Sequence, residues 1–247
     1  MTIERLEEPY DALNLIKEVF FSHGNMGLSA SFAQKWLELL SAKGEQFHYL
    51  GGFENGLLEA VLAYDDSLRM ISLVSRNDRL EEKRQLVDAY VQDEGNAHAA
   101  LIRTTAFPKD KADLKQLGFE AVSEDGPFTE MEYPLQKKML GQTVTVTIDR
   151  PYGSFHPHYP DTIYLCNYGY VEEVLAADGE FQDAYVIGVQ EPLERFTGKV
   201  IAIILRKDDV ESKWVVARDV PQNRQEVIDA VGMIEQYFDT RILWYEP

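Results

Sequence analysis

Between residues 178 and 183 the chain reads Asp178-Gly179-Glu180-Phe181-Gln182-Asp183, three carboxylates within six residues. Like charges held a few ångströms apart repel unless a proton or a cation sits among them. In an extended strand 178 and 180 share a face and 183 points away, so a common site needs a turn before 183, which Gly179 permits. Oxygen ligands without His or Cys suit a hard ion such as magnesium, held at about 2.0–2.1 Å. A second acidic stretch, Asp208-Asp209-Val210-Glu211, runs into Ser212-Lys213. Earlier stand Asp149-Arg150-Pro151 and Tyr164-Leu165-Cys166-Asn167-Tyr168-Gly169-Tyr170-Val171. Arg150 and Lys213 are candidates to hold an anionic substrate, with Tyr164 and Tyr168 donating to its oxygens. From spacing alone these residues also describe a solvated acidic hairpin, and that alternative stays open.

The elements that must position them differ in character along the chain. Two helical periodicities open it, at about Asp11–Ser22 and Ser29–Lys43. Strand-like runs follow at Phe47–Leu50 and Leu57–Tyr64, joined by Glu54-Asn55-Gly56, a hairpin signal because both central turn positions want positive φ. Met70–Val74, Ala100–Ala106 and Phe128–Leu135 read as strands, with helices predicted at Leu80–Gln92 and Lys111–Leu117. The resulting order, ααβββαβαβ, is a mixed α/β domain over 1–136. Lys137–Gln142 reads as a connector. Beyond it, strands are expected at Thr143–Ile148, Ala184–Val189, Lys199–Leu205 and Lys213–Ala217. A closing helix, Gln225–Phe238, carries an apolar stripe of Val227, Val231, Ile234 and Phe238. The second domain, 137–247, is therefore mainly β, a small barrel with one C-terminal helix.

Composition narrows the partners. With 45% hydrophobic and 11% aromatic residues the chain can build a core. Its formal charge is −18, which repels nucleic acid and anionic membrane alike. The acidity is not a tail: 24 acidic and 15 basic residues lie up to Leu140, and 18 and 9 follow. No apolar run approaches the roughly 20 residues of a membrane span, and the acidic N-terminus is unlike a signal peptide. A lone cysteine, Cys166, has no internal disulfide partner. The expectation is a soluble cytoplasmic protein acting on a small phosphorylated substrate, with a homo-oligomer left open.

The ordered set Asp-Arg, Tyr-x-x-Asn-Tyr-Gly-Tyr-Val, Asp-Gly-Glu-x-x-Asp and an acidic stretch ending in Lys resembles the signature of family I soluble inorganic pyrophosphatases, over about Gln142–Ala217. The resemblance implies a barrel of the oligonucleotide-binding type and magnesium as cofactor. It places Asp178, Asp183 and Glu211 as metal-binding carboxylates, with Asp208 or Asp209 as another. It puts Arg150, Tyr168 and Lys213 on phosphate and Glu180 on the attacking water. Glu180 stands where the family has Asp, Phe181-Gln182 replaces its usual Pro, and the acidic segment before Lys213 is two residues short.

The N-terminal order, with its Asn-Gly hairpin and Leu117-Gly118-Phe119-Glu120 before a final strand, looks like the GCN5-related N-acetyltransferase superfamily. That resemblance implies acetyl-CoA, held on a glycine-rich turn at a helix N-terminus. The corresponding stretch here is Arg76-Asn77-Asp78-Arg79-Leu80-Glu81, with no glycine at either glycine position. Arg76 and Arg79 are the residues left to bind its phosphates. Three functions are thus in view: magnesium-dependent hydrolysis of a phosphoanhydride, acyl transfer from acetyl-CoA, and binding of a phosphorylated ligand without turnover.

Overall fold

In the computed structural model Asn55 and Gly56 both adopt positive φ, 51° and 78°, closing the expected hairpin between β2 (His48–Glu54) and β3 (Leu57–Asp65). The structure describes residues 1–22, 47–65, 70–93, 100–126, 128–157, 159, 161–206, 211–220 and 223–246. The helix expected at Ser29–Lys43 lies outside them. The chain divides into two compact units, Met1–Ala97 with Leu101–Pro134 in one, and Leu135–Pro247 making the bulk of the other.

The first unit is built on a seven-stranded sheet. β1 (Thr2–Leu6) lies beside β2, followed in space by β3, β4 (Met70–Ser75), β5 (Ile102–Ala106), β7 (Phe128–Tyr133) and β6 (Glu120–Asp125). Helix α1 (Pro9–Ser22) buries Ala12, Leu15, Ile16 and Val19, spaced at one helical face, against Tyr49, Val61, Ala63 and Val74. Helices α2 (Leu80–Gln92) and α3 (Lys111–Gln116) complete the unit. β4 and β5 are parallel and register only at Met70 and Arg103; their far ends, Ser75 and Ala106, are left without a shared ladder.

The second unit is a closed barrel. Its strands are β8 (Thr143–Arg150), β9 (Asn167–Leu175), β10 (Phe181–Val186), β11 (Arg195–Arg206) and β12 (Ser212–Ala217). They pair in the ring β8-β9-β10-β12-β11-β8, in which only β10 and β12 run parallel. This is the five-stranded Greek-key order of oligonucleotide-binding barrels. β11 is long enough to serve three neighbours: β8 along Arg195–Lys199, β12 along Lys199–Leu205, and β13 (Thr240–Trp244) along Ala202–Arg206. Helix α4 (Arg224–Glu235), capped by the Asn223 side chain on the Gln225 amide, packs Val227 and Val231 on Tyr185, Ile201 and Val215. The molecule is thus a mixed α/β unit followed by a β-barrel with a C-terminal helix, the fold class expected from the sequence.

A 3-10 helix, Leu135–Met139, runs into the segment read as a connector, and its first two residues, just ahead of that segment, are buried. Gln136 Nε2 donates to Gln182 Oε1 at 2.9 Å, and Gln136 Oε1 accepts from Ser212 Oγ at 2.6 Å and Trp214 Nε1 at 2.9 Å. Gln182 also donates to the Ser212 carbonyl at 2.7 Å. This network closes over the parallel β10–β12 pair, where Gln182 and Trp214 are fully buried. Gln136→Ala removes the acceptor of the buried Trp214 indole N–H and leaves the Ser212 hydroxyl only its longer contact to Gln182 Oε1 at 3.4 Å. It should destabilise the barrel by about 1–3 kcal/mol, read as a lower urea midpoint with unchanged slope.

Candidate functional site

Strand β8 crosses β9 so closely at Gly169 that a Cβ there would sit 1.9 Å from the Thr147 carbonyl oxygen; no other residue fits. The crossing sets Arg150 opposite Tyr168, with a bulge between Ile148 and Arg150. Asn167, fully buried, accepts from the Tyr152 amide at 2.9 Å and the Leu193 amide at 3.1 Å and donates to the Glu191 carbonyl at 3.0 Å. Within the Asn-Tyr-Gly-Tyr run, then, Asn and Gly fix the backbone and Tyr168 is left to face the barrel interior.

There it meets charge. Tyr168 is hydrogen-bonded to Asp183, and burial first, then the Asp183 carboxylate, raises its pKa far above that of free tyrosine. Lys213 Nζ, almost fully buried, donates to both Asp183 and Glu211. Arg206 reaches Glu211 at 3.5 Å and clasps Glu235 through Nε at 3.1 Å and NH2 at 2.8 Å. Its guanidinium lies 3.6 Å from the Phe238 ring centre. Tyr185 donates to Glu235 at 2.7 Å, and burial with that carboxylate raises its pKa as well. Two cations thus alternate with three carboxylates, an arrangement that offsets much of the cost of burying each charge and carries one net negative charge.

Beside this row Arg150 donates to Asp149 at 2.9 Å. Burial raises the Asp149 pKa; Arg150 opposes the shift and the charge of Asp183 adds to it. Tyr164 is raised by burial, again against Arg150 and with Asp149 and Asp183. Asp183 thus links two groups: it is felt by Asp149 and Tyr164, which also feel Arg150, and it bonds Tyr168 and Lys213, the latter shared with Glu211.

Asp178 and Glu180 stand apart. Gly179 makes the anticipated turn at φ 86°, but both acids are exposed on it, and Asp178 Oδ1 is engaged by the Glu180 amide at 3.0 Å. Among the described residues no three His, Cys, Asp or Glu side chains converge on a metal position. Asp208 and Asp209 lie outside the described residues. Cys166 is buried against Val227 and Val231, and burial pushes its thiol up to about 12, so at neutral pH it is a packed, protonated group and no nucleophile. His156 stacks on Tyr164 at 11°, 5.9 Å between centroids; His158 lies outside the described residues.

Arg206, Glu235 and Tyr185 were not singled out from the sequence. Glu235 carried a signal: it falls four residues after Val231 on the apolar stripe of α4, where an acid is buried only with a partner. In the first unit, Arg76 pairs with Glu18 and Glu59, and Arg79 with Glu54 at 3.3 Å and Glu82 at 3.2 Å.

No protein-family model and no curated protein matches the sequence. Among solved structures, an inorganic pyrophosphatase from Ehrlichia chaffeensis is 15% identical, over 43% of this chain and 88% of its own, with a TM-score of 0.35. A GCN5-related N-acetyltransferase from Rhodopseudomonas palustris is 16% identical over 54% of this chain and 94% of its own, TM-score 0.42. The PaiA N-acetyltransferase from Thermoplasma acidophilum, solved with coenzyme A, is 14% identical over 54% and 99%, TM-score 0.40. Neither family nor activity is assigned on scores of this size. No helix among the described residues is long and apolar enough to cross a membrane.

The buried tyrosines set an alkaline limit. Tyr168 and Tyr185 hold their protons more tightly folded than unfolded, so their stabilisation is intact below the free-tyrosine pKa of about 10 and is lost as pH rises through and above it. Each should remove about 1.4 kcal/mol per pH unit there. Urea midpoints measured on either side of this pKa should fall on the alkaline side, and less steeply in Tyr168→Phe.

Proposed function

We propose that the barrel binds a small phosphoanhydride together with magnesium and hydrolyses it, inorganic pyrophosphate being the simplest candidate. One observation carries this reading: Tyr168, Asp183, Glu211 and Lys213, picked from the sequence and spread over 46 positions, meet in one hydrogen-bonded cluster around the buried Lys213 ammonium. A solvated acidic hairpin gives no reason for that convergence.

Asp183 and Glu211 are the carboxylates that would hold the cation, with Asp208 or Asp209 on the adjoining stretch. Oxygen donors and a net negative charge suit a hard dication. Magnesium, when bound, lowers the pKa of water and neutralises phosphate charge. Lys213, released from the two acids, and Arg150, released from Asp149, bind the phosphate oxygens. Tyr168 stays protonated at any physiological pH, so its hydroxyl is a donor to the same oxygens. Glu180, exposed on the adjoining turn, accepts the proton of the attacking water.

A second reading, ligand binding without turnover, is favoured by a specific contact: the Lys213 ammonium already spans both carboxylates, and no acid of the 178–180 turn joins them. A cation must outcompete that ammonium before any chemistry begins.

Phosphate release from pyrophosphate should require magnesium and fall by about 100-fold or more in Asp183→Asn, with circular dichroism confirming that the variant is folded. Thermal stabilisation by magnesium and pyrophosphate without phosphate release selects the second reading. Release that Asp183→Asn leaves unchanged sinks both the site and the mechanism.

A further inference from the structure

Where β4 and β5 part company in the first unit, the gap between them is occupied by the protein's own charges. Lys83, on the second turn of α2, is 4% exposed and points into it. Its ammonium donates to Asp78 at 2.5 Å and Asp113 at 2.9 Å and lies 3.6 Å from Asp110. Burial alone would lower the lysine's pKa; the bonds to Asp113 and Asp78 and the charge of Asp110 outweigh it, so Lys83 stays cationic. Lys109 adds a weaker contact to Asp110 at 3.9 Å. What remains open between the strands is a cavity of about 50 Å³, lined by Ser72–Ser75, Thr104 and Thr105. That volume admits a few water molecules, whereas a site for an organic ligand runs to about 300–1,000 Å³.

The resemblance of this unit to acetyltransferases implies acetyl-CoA, and the residues present do not fit it. A pyrophosphate needs free amides and cations at a helix N-terminus. At the start of α2 the Arg79 amide is already bonded to Ser75 Oγ at 3.0 Å, and the first turn carries Glu81 and Glu82. Ser75 Oγ in turn donates to Glu82 at 2.6 Å. Both candidate arginines are committed: Arg76 to Glu18 and Glu59, Arg79 to Glu54 and Glu82. Asp78 occupies the left-handed position of the turn, φ 53°, and projects a carboxylate to Lys83. The local charge repels a phosphate.

We propose that this unit binds no acyl-coenzyme A and that Lys83, gripped by Asp78, Asp110 and Asp113, fills the cleft as a built-in ammonium. The cleft is then a structural joint: the lysine ties α2 to the start of α3 beside the far ends of β4 and β5, beyond their single register pair.

Two measurements on the full chain test this. Isothermal titration with acetyl-CoA to about 1 mM should give only heat of dilution; saturable binding at that concentration overturns the proposal. In thermal unfolding Lys83→Met, which leaves three acids facing one another, should lower Tm by about 5–10 °C, and Lys83→Arg should recover most of the loss. A Lys83→Met protein as stable as the wild type removes the joint, and with it the proposal.

Discussion

An ammonium ion removed from water must find oxygen on several sides, and the barrel is organised around one such ion. Lys213 sits between Asp183 on β10 and Glu211 at the start of β12, the two strands that run parallel. Parallel neighbours cannot be joined by a tight turn, so the chain leaves β10, runs through β11, and returns. The charge pair marks where it must come back. Arg206, on the intervening strand, carries the alternation on to Glu235 and fixes the closing helix against the same wall. Removing Lys213 takes away the cation that Asp183 and Glu211 share, and such a loss costs more than the pair ever contributed.

The first unit solves a similar problem by similar means. Its sheet is held between β4 and β5 by a single register pair, Met70 with Arg103, and Lys83 with its three aspartates lies beside the strand ends beyond it. In both units a lysine nearly sealed from solvent sits beside a parallel strand pair and binds carboxylates from separate elements. One cluster gathers the residues expected to bind phosphate; the other stands where a cofactor's phosphates were expected. The same lysine–carboxylate chemistry thus underlies both the proposed phosphate site and the proposed joint.

Much of this was legible in the sequence wherever a side-chain period or a turn residue was at stake. The Asn55-Gly56 hairpin, helix α2 with its expected bounds, the alternating run of β8, and the apolar stripe of α4 all have local causes. β1, β6 and β13 escaped notice for one reason: each is an edge strand, largely unburied, and so carries little apolar periodicity. β9 was hidden because its start, Asn-Tyr-Gly-Tyr, reads as a motif before it reads as a strand. At the candidate site, spacing suggested that the 178–180 acids and Asp183 could meet. The backbone of a tight turn competes for the same carboxylate, and Asp178 answers the Glu180 amide instead.

Consider finally what it means that β11 borders three strands. Its ladder with β12 is a local hairpin, Leu205 facing Ser212, but in the other two Thr147 must be found from Arg195, and Trp244 from Ala202. The loops to be closed are long, and their entropy is lost before the contacts repay it. Closing the barrel through these two ladders therefore carries a larger entropy cost than forming the β11–β12 hairpin. The apolar run Val200–Leu205 is therefore flanked on one side by its own hairpin partner and on the other only once Ile242 to Trp244 have come back from the far end of the unit.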